Sequence, residues 1–157
     1  MKPWQLLPLQ RLREHRVQAA ERTLAQARRE VALAREAVSR VEREIDVLES
    51  NYRHLQQQPL ETRSARNLQS REQRLEAARR VLDAAGQRLV KAREQVTAAQ
   101  AQEAVARGEL NTARRKMESL QVRHRAWQRQ QDVAEALDEE AELEDRVLAE
   151  RAREPQT

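Results

Sequence analysis

The side chains most often recruited as metal ligands or proton carriers are here three histidines, His15, His54 and His124. They stand far apart, without the H-x-x-x-H spacing or the neighbouring carboxylates that a metal site needs, so they read as ordinary helix residues. The chain has no cysteine, which removes thiolate ligands, thiol nucleophiles and disulfides together. No glycine-rich phosphate loop and no nucleophile motif is present. Catalysis, a metal and a cofactor are therefore not expected. Charge and aromatic rings near the two ends remain. Arg11, Arg13 and Arg16 can stand beside Arg123, Arg125 and Arg129 if the chain folds back on itself, which makes either a solvated tip or a dock for an acidic surface. Trp4 and Trp127 belong to the same end, as an aromatic plug or as a partner's anchor.

These residues must be carried by helices. Of 157 residues, 36% are charged and 2% aromatic, with two glycines and no phenylalanine, a profile of long helices rather than of a broad core. No run of about 18 apolar residues is present, so no spanning helix and no direct membrane insertion is expected. Leu6-Leu7-Pro8-Leu9 is too short and too broken by proline for a signal-peptide core. The expectation is a soluble, extended, intracellular protein.

The apolar residues form narrow seven-residue ladders. In the first third, Leu24, Val31, Val38, Ile45 and Tyr52 occupy one column, with Ala20, Ala27, Ala34, Val41, Leu48 and Leu55 in the other. Later, Leu68, Leu75, Leu82, Leu89, Val96, Glu103, Leu110, Met117 and His124 run opposite Ala78, Ala85, Ala92, Ala99, Ala106 and Ala113, continued by Leu120 and Trp127. Six successive alanines let a partner backbone approach closely and leave holes for larger side chains.

Pro8 fits a first helical turn, and no proline or glycine follows until Pro59. That gives helix one over about 8–56, roughly 70 Å of helix at about 1.5 Å per residue. Gln56-Gln57-Gln58-Pro59 breaks the pattern, with a turn over about 57–64 and Thr62, Ser64 or Ser70 as candidate caps. Helix two follows over about 65–150. So short a break joins antiparallel helices. The fold class is all-α: a single long two-helix antiparallel coiled-coil hairpin with a C-terminal helical overhang. Placing Leu55 against Leu68 pairs residues whose numbers add to 123, which sets Ile45 against Ala78, Val38 against Ala85 and Leu24 against Ala99. In that register Glu42 meets Arg79, Arg28 meets Arg93, Trp4 falls opposite about residue 119, and some 30 residues overhang. The core, rather than flanking charge, is expected to set it.

Residues 1–120 carry 24 basic and 16 acidic side chains, and residues 121–157 carry 6 and 10, the latter concentrated in Asp138 to Asp145. A positive stripe could meet nucleic acid, but the charges are mixed, the overhang is acidic and no aromatics line a groove. The expectation is no nucleic-acid partner. A self-associating structural coiled coil, with overhangs pairing between molecules, is the other alternative.

The stretch Leu12-Arg13, then Arg16-Val17-Gln18-Ala19-Ala20-Glu21-Arg22-Thr23-Leu24, resembles the R-V-x-x-A-E-x-x-L stretch near the N-terminus of the YscO/FliJ-like stalk proteins of type III secretion systems. The acidic run Asp138 to Asp145 is similar to the tail of the injectisome branch. The resemblance implies a cytoplasmic protein at the base of a bacterial secretion apparatus. There it would insert like a rotary shaft into the pore of the hexameric secretion ATPase, promote its assembly and activity, and bind the export gate protein and secretion chaperones. By position it implies that Arg11, Arg13, Arg16, Arg123, Arg125 and Arg129 face the ATPase, and that Leu60 and Leu68 at the turn contact the gate.

Overall fold

The computed structural model describes residues 2–59 and 64–155. Two α-helices make up all of its regular structure among those residues, α1 over Leu7–Gln57 and α2 over Ala65–Arg153. The all-α class expected from the heptads is what the chain adopts. By compactness it divides into one unit of Met1–Ala20 with Glu109–Thr157, and a second of Glu21–Gly108.

Local chemistry fixes the helix ends. At the start of α1, the Leu7 N–H donates to the Trp4 carbonyl at 3.2 Å and the Gln10 N–H to that of Leu6 at 2.9 Å. Pro8 sits inside this first turn, where a missing N–H costs no hydrogen bond. The last helical bond runs from the Gln58 N–H to His54 at 3.1 Å, and Pro59 follows. At the start of α2, Ser64 is the cap, its Oγ accepting from the Asn67 N–H at 3.3 Å and its carbonyl from the Leu68 N–H at 3.2 Å. Thr62, the neighbouring candidate cap, lies outside the described residues.

In the second unit, residues 21–57 of α1 and the first part of α2 pack as an antiparallel hairpin, with Leu24, Ala27, Val31, Ala85, Ala92 and Ala106 buried along the seam. The register differs from the expected one. Gln56 receives a hydrogen bond from Arg71, Arg28 pairs with Glu103 at 3.6 Å, Glu44 with Arg88 at 2.8 Å and Glu42 with Arg93 at 3.4 Å. Those partner numbers add to 127, 131, 132 and 135, not to 123. The displacement is close to one heptad, near 130, which brings the same columns back to the interface. Ile45 then lies near Ala85, Val38 near Ala92 and Leu24 near Ala106, so large residues still meet small ones.

A seam of repeated Leu and Ala cannot distinguish registers one heptad apart. Charge can. The expected pairing set Arg28 against Arg93, whereas here each takes a carboxylate, and Arg88 grips both oxygens of Glu44 at 2.8 and 3.0 Å. The Glu44 hydrogen bonds and charge raise the Arg88 pKa above its ordinary value. Glu103 is a carboxylate in an otherwise apolar stretch of its column, its side chain only 19% exposed and held by Arg28 at 3.6 Å and Arg107 at 2.8 Å. Arg107 lies on the same helix and serves Glu103 in any register, so what depends on register is the second cation, Arg28 across the seam. Leu68 is exposed, because with Arg71 at the level of Gln56 the first turn of α2 runs past the end of α1. Arg71, a polar residue in the alanine column, uses that space to donate to the Gln56 carbonyl, one of the unpaired carbonyls at the end of α1.

Gly86 and Gly108 lie within α2, and a Cβ built on either meets nothing within 4 Å. Gly108→Ala should therefore stabilise the chain by about 0.5–1 kcal/mol through restored helix propensity, seen as a raised melting temperature by circular dichroism. An unchanged or lowered value would show that the neighbourhood of Gly108 resists a methyl group.

Candidate partner-binding surfaces

The six candidate arginines all belong to the first unit, three from α1 and three from α2. Arg13 does not project freely. Its guanidinium donates to the Lys116 carbonyl at 2.6 Å, and the residue is half-buried between the helices. It clamps the start of α1 to α2 and offers a partner only the remainder of its five N–H groups. Arg11, Arg16, Arg123, Arg125 and Arg129 are exposed, and among the described residues none of these five has a carboxylate partner. A cation without a local counter-ion keeps its full attraction for an approaching anion, subject to salt screening. Arg125 and Arg129 share one open face of α2 with Val122, Gln128 and Asp132.

Next to them the N-terminal residues close the core. Pro3 and Trp4 precede α1, and the Trp4 ring sits 4.8 Å from His124 and 5.3 Å from Trp127, tilted to both. His124 and Trp127 stack at 5.8 Å with 16° between their planes. Each aromatic pair of this kind contributes about 0.5–1.5 kcal/mol beyond area burial, enough to hold a short N-terminal segment. All three residues are half-buried, so the cluster closes this end of the core. Trp4 sits opposite His124 and Trp127 rather than residue 119, and Arg13 meets Lys116, so partner numbers here add to 128, 131 and 129. Leu110 and Leu120 are the buried residues of this unit, at 4% and 1% exposure.

Half-burial on α2 continues to Gln131, and every described residue from Asp132 on is exposed. Among the described residues no group of three His, Asp or Glu side chains could hold a metal ion, and no helix is long and apolar enough to cross a membrane. Of the two residues expected at the turn, Leu68 presents an exposed apolar side chain on the first turn of α2, while Leu60 lies outside the described residues.

Two features here escape sequence reasoning. Arg13 as a clamp depends on register and had no signal of its own. Glu103 did have one: a carboxylate at a core column favours a register that adds a cation across the seam to Arg107 on its own helix, and Arg28 is a candidate within reach.

No family model matches the chain, and no curated protein matches it. Among solved structures it is similar to CT670 from Chlamydia trachomatis, described as a candidate YscO homologue, at a TM-score of 0.71 and 24% sequence identity. The likeness covers 98% of this chain and 94% of the other, so the two share a fold over nearly their whole lengths.

Proposed function

We propose that this chain is a non-catalytic central stalk of a type III secretion ATPase. It would insert into the pore of the hexamer, promote ring assembly and ATP hydrolysis, and link the ring to the export gate and to secretion chaperones in the cytoplasm. The observation that carries this reading is the shared fold with a candidate YscO homologue over 98% of the chain. The R-V-x-x-A-E-x-x-L stretch from Arg16 to Leu24 supports it independently of the fold.

The physical logic is differential contact. A rigid helical pair inside a ring biases one ring state only if it touches subunits differently in that state. Unpaired Arg11, Arg16, Arg123, Arg125 and Arg129 are suited to such contacts with acidic pore residues, because each can form charge-assisted, bidentate bonds to a carboxylate. Leu60 and the exposed Leu68 would meet an apolar site on the gate.

The test is ATP hydrolysis by the partner ATPase with and without this protein. Stimulation should appear at substoichiometric ratios to ATPase subunits and fall by about tenfold in an Arg11→Glu/Arg16→Glu variant of unchanged helix content, a change equivalent to about 1.4 kcal/mol of contact energy. Arg13 is left intact because its substitution would disturb the fold. Absence of both stimulation and complex, with an ATPase shown to assemble, would overturn the reading.

A further inference from the structure

The last part of α2 carries an apolar stripe that nothing in the chain covers. At 3.6 residues per turn, Val133, Leu137, Leu143, Val147 and Leu148 fall within an arc of about 140°. Each is between 47% and 61% exposed. Only its last member continues the seam that faces α1, since the alanine column runs on from Trp127 through Ala134 and Ala141 to Leu148. The seam's leucine-bearing column runs on from His124 through Gln131 to Asp138 and Asp145, and two carboxylates there end any pairing of the same kind. Val133, Leu137, Leu143 and Val147 lie on another flank of the helix. Their appearance where the seam turns acidic marks a face with a different partner.

Charge says what that partner is. Residues 132–153 carry nine carboxylates and three cations: Arg146, which lies 3.9 Å from Glu142, and Arg151 and Arg153 in the last turn, with Arg151 on the same arc as Val133. Most of these carboxylates line the opposite side, but Glu140 and Glu144 fall inside the apolar arc. Covering them with an apolar or acidic surface would strand two charges away from water, at a cost of several kcal/mol each unless a cation meets them. A second copy of the same segment brings mainly further carboxylates. An amphipathic helix bearing Lys or Arg beside its own apolar stripe satisfies both demands, with its aliphatic residues on Leu137 and Leu148 and its cations on Glu140 and Glu144.

We propose that residues 132–153 are a docking helix for a basic amphipathic α-helix of a partner protein. The inference uses neither the arginine surface nor the stalk reading, and it stands or falls separately from them.

The probe is a synthetic amphipathic peptide of about 20 residues, roughly 30 Å of helix, built from Leu, Ala and Lys, with a Glu-for-Lys counterpart as control. The full-length chain should bind the Lys peptide saturably, one to one, and should not bind the Glu peptide. In a Leu137→Glu/Leu148→Glu variant the dissociation constant should rise about tenfold or more. The direction is diagnostic, because two added carboxylates would tighten a purely electrostatic complex and loosen one that needs the stripe. Glu140→Lys/Glu144→Lys should reverse the preference towards the Glu peptide, and it remains informative if the first variant frays. No binding of the Lys peptide, binding unaffected by either variant, or equal binding of both peptides would overturn the proposal. So would concentration-dependent self-association abolished by Leu137→Glu/Leu148→Glu, which would assign the stripe to a second copy. Binding to zwitterionic phosphatidylcholine vesicles in place of the peptide would assign it to a membrane and equally overturn the proposal.

Discussion

Leu120→Ala should destabilise the unit formed by the N-terminal residues and Glu109–Thr157 by about 2–5 kcal/mol. Leu120 is 1% exposed, the largest side chain so completely buried among the described residues. Shortening it removes apolar burial and leaves a cavity beneath the start of α1, close to where Arg13 holds the Lys116 carbonyl. A narrow two-helix seam has few neighbouring side chains to collapse into such a gap, which argues for the upper part of that range. The matched control is Leu137→Ala, at 60% exposure, where the change should stay within about 0.5 kcal/mol. Thermal unfolding by circular dichroism gives the overall effect. Hydrogen exchange along residues 109–127 and 7–20 gives its location, since loss of protection should concentrate there. If Leu120→Ala cost no more than the control, α1 would not be packed against this part of α2.

Much of the fold was legible in the sequence, because its determinants are local. Pro59 and the polar run before it stop α1, Ser64 caps α2, and the ladder of Leu24, Val31 and Val38 announces a helix with one narrow apolar stripe. The CT670 chain shares this fold over nearly its whole length. Register was not legible from the ladder, and the reason is physical. Ala78, Ala85, Ala92, Ala99, Ala106 and Ala113 are interchangeable under a shift of seven, so apolar packing is degenerate and small electrostatic differences select among its solutions. Exposed ion pairs contribute at most about 1 kcal/mol each. That is little for a protein's total stability, but it is decisive between states that bury the same apolar surface. The candidate surfaces inherited the same ambiguity: Arg13 passes for one of six equivalent arginines until register places it against a backbone carbonyl.

Because the chain has no cysteine, register can be tested with introduced pairs. Glu44→Cys with Arg88→Cys should be joined rapidly by a short bifunctional thiol reagent, since the native side chains meet at 2.8 Å. Glu44→Cys with Val81→Cys should react slowly. In the register whose partners add to 123, the order is reversed: Glu44 stands opposite residue 79, Val81 is about 3 Å away along the axis, and Arg88 is about 14 Å away. The substitution removes one ion pair, but Arg28 with Glu103 and Glu42 with Arg93 still select the same alignment. Glu103 supplies the second arm. Replacing it with Leu fills its column with the residue found at Leu89 and Leu110 and removes the cross-seam contact with Arg28 that favours this alignment. Glu103→Leu should leave helix content unchanged or raise thermal stability while increasing the yield of the Glu44→Cys/Val81→Cys product, because the helices then slide by a heptad at little cost. Unchanged selectivity in that background would transfer register control to the connection between Gln57 and Ala65. Equal yields from both pairs without Glu103→Leu would instead mean that no single register dominates, and that the ion pairs of Arg28, Glu42 and Glu44 exchange partners in solution.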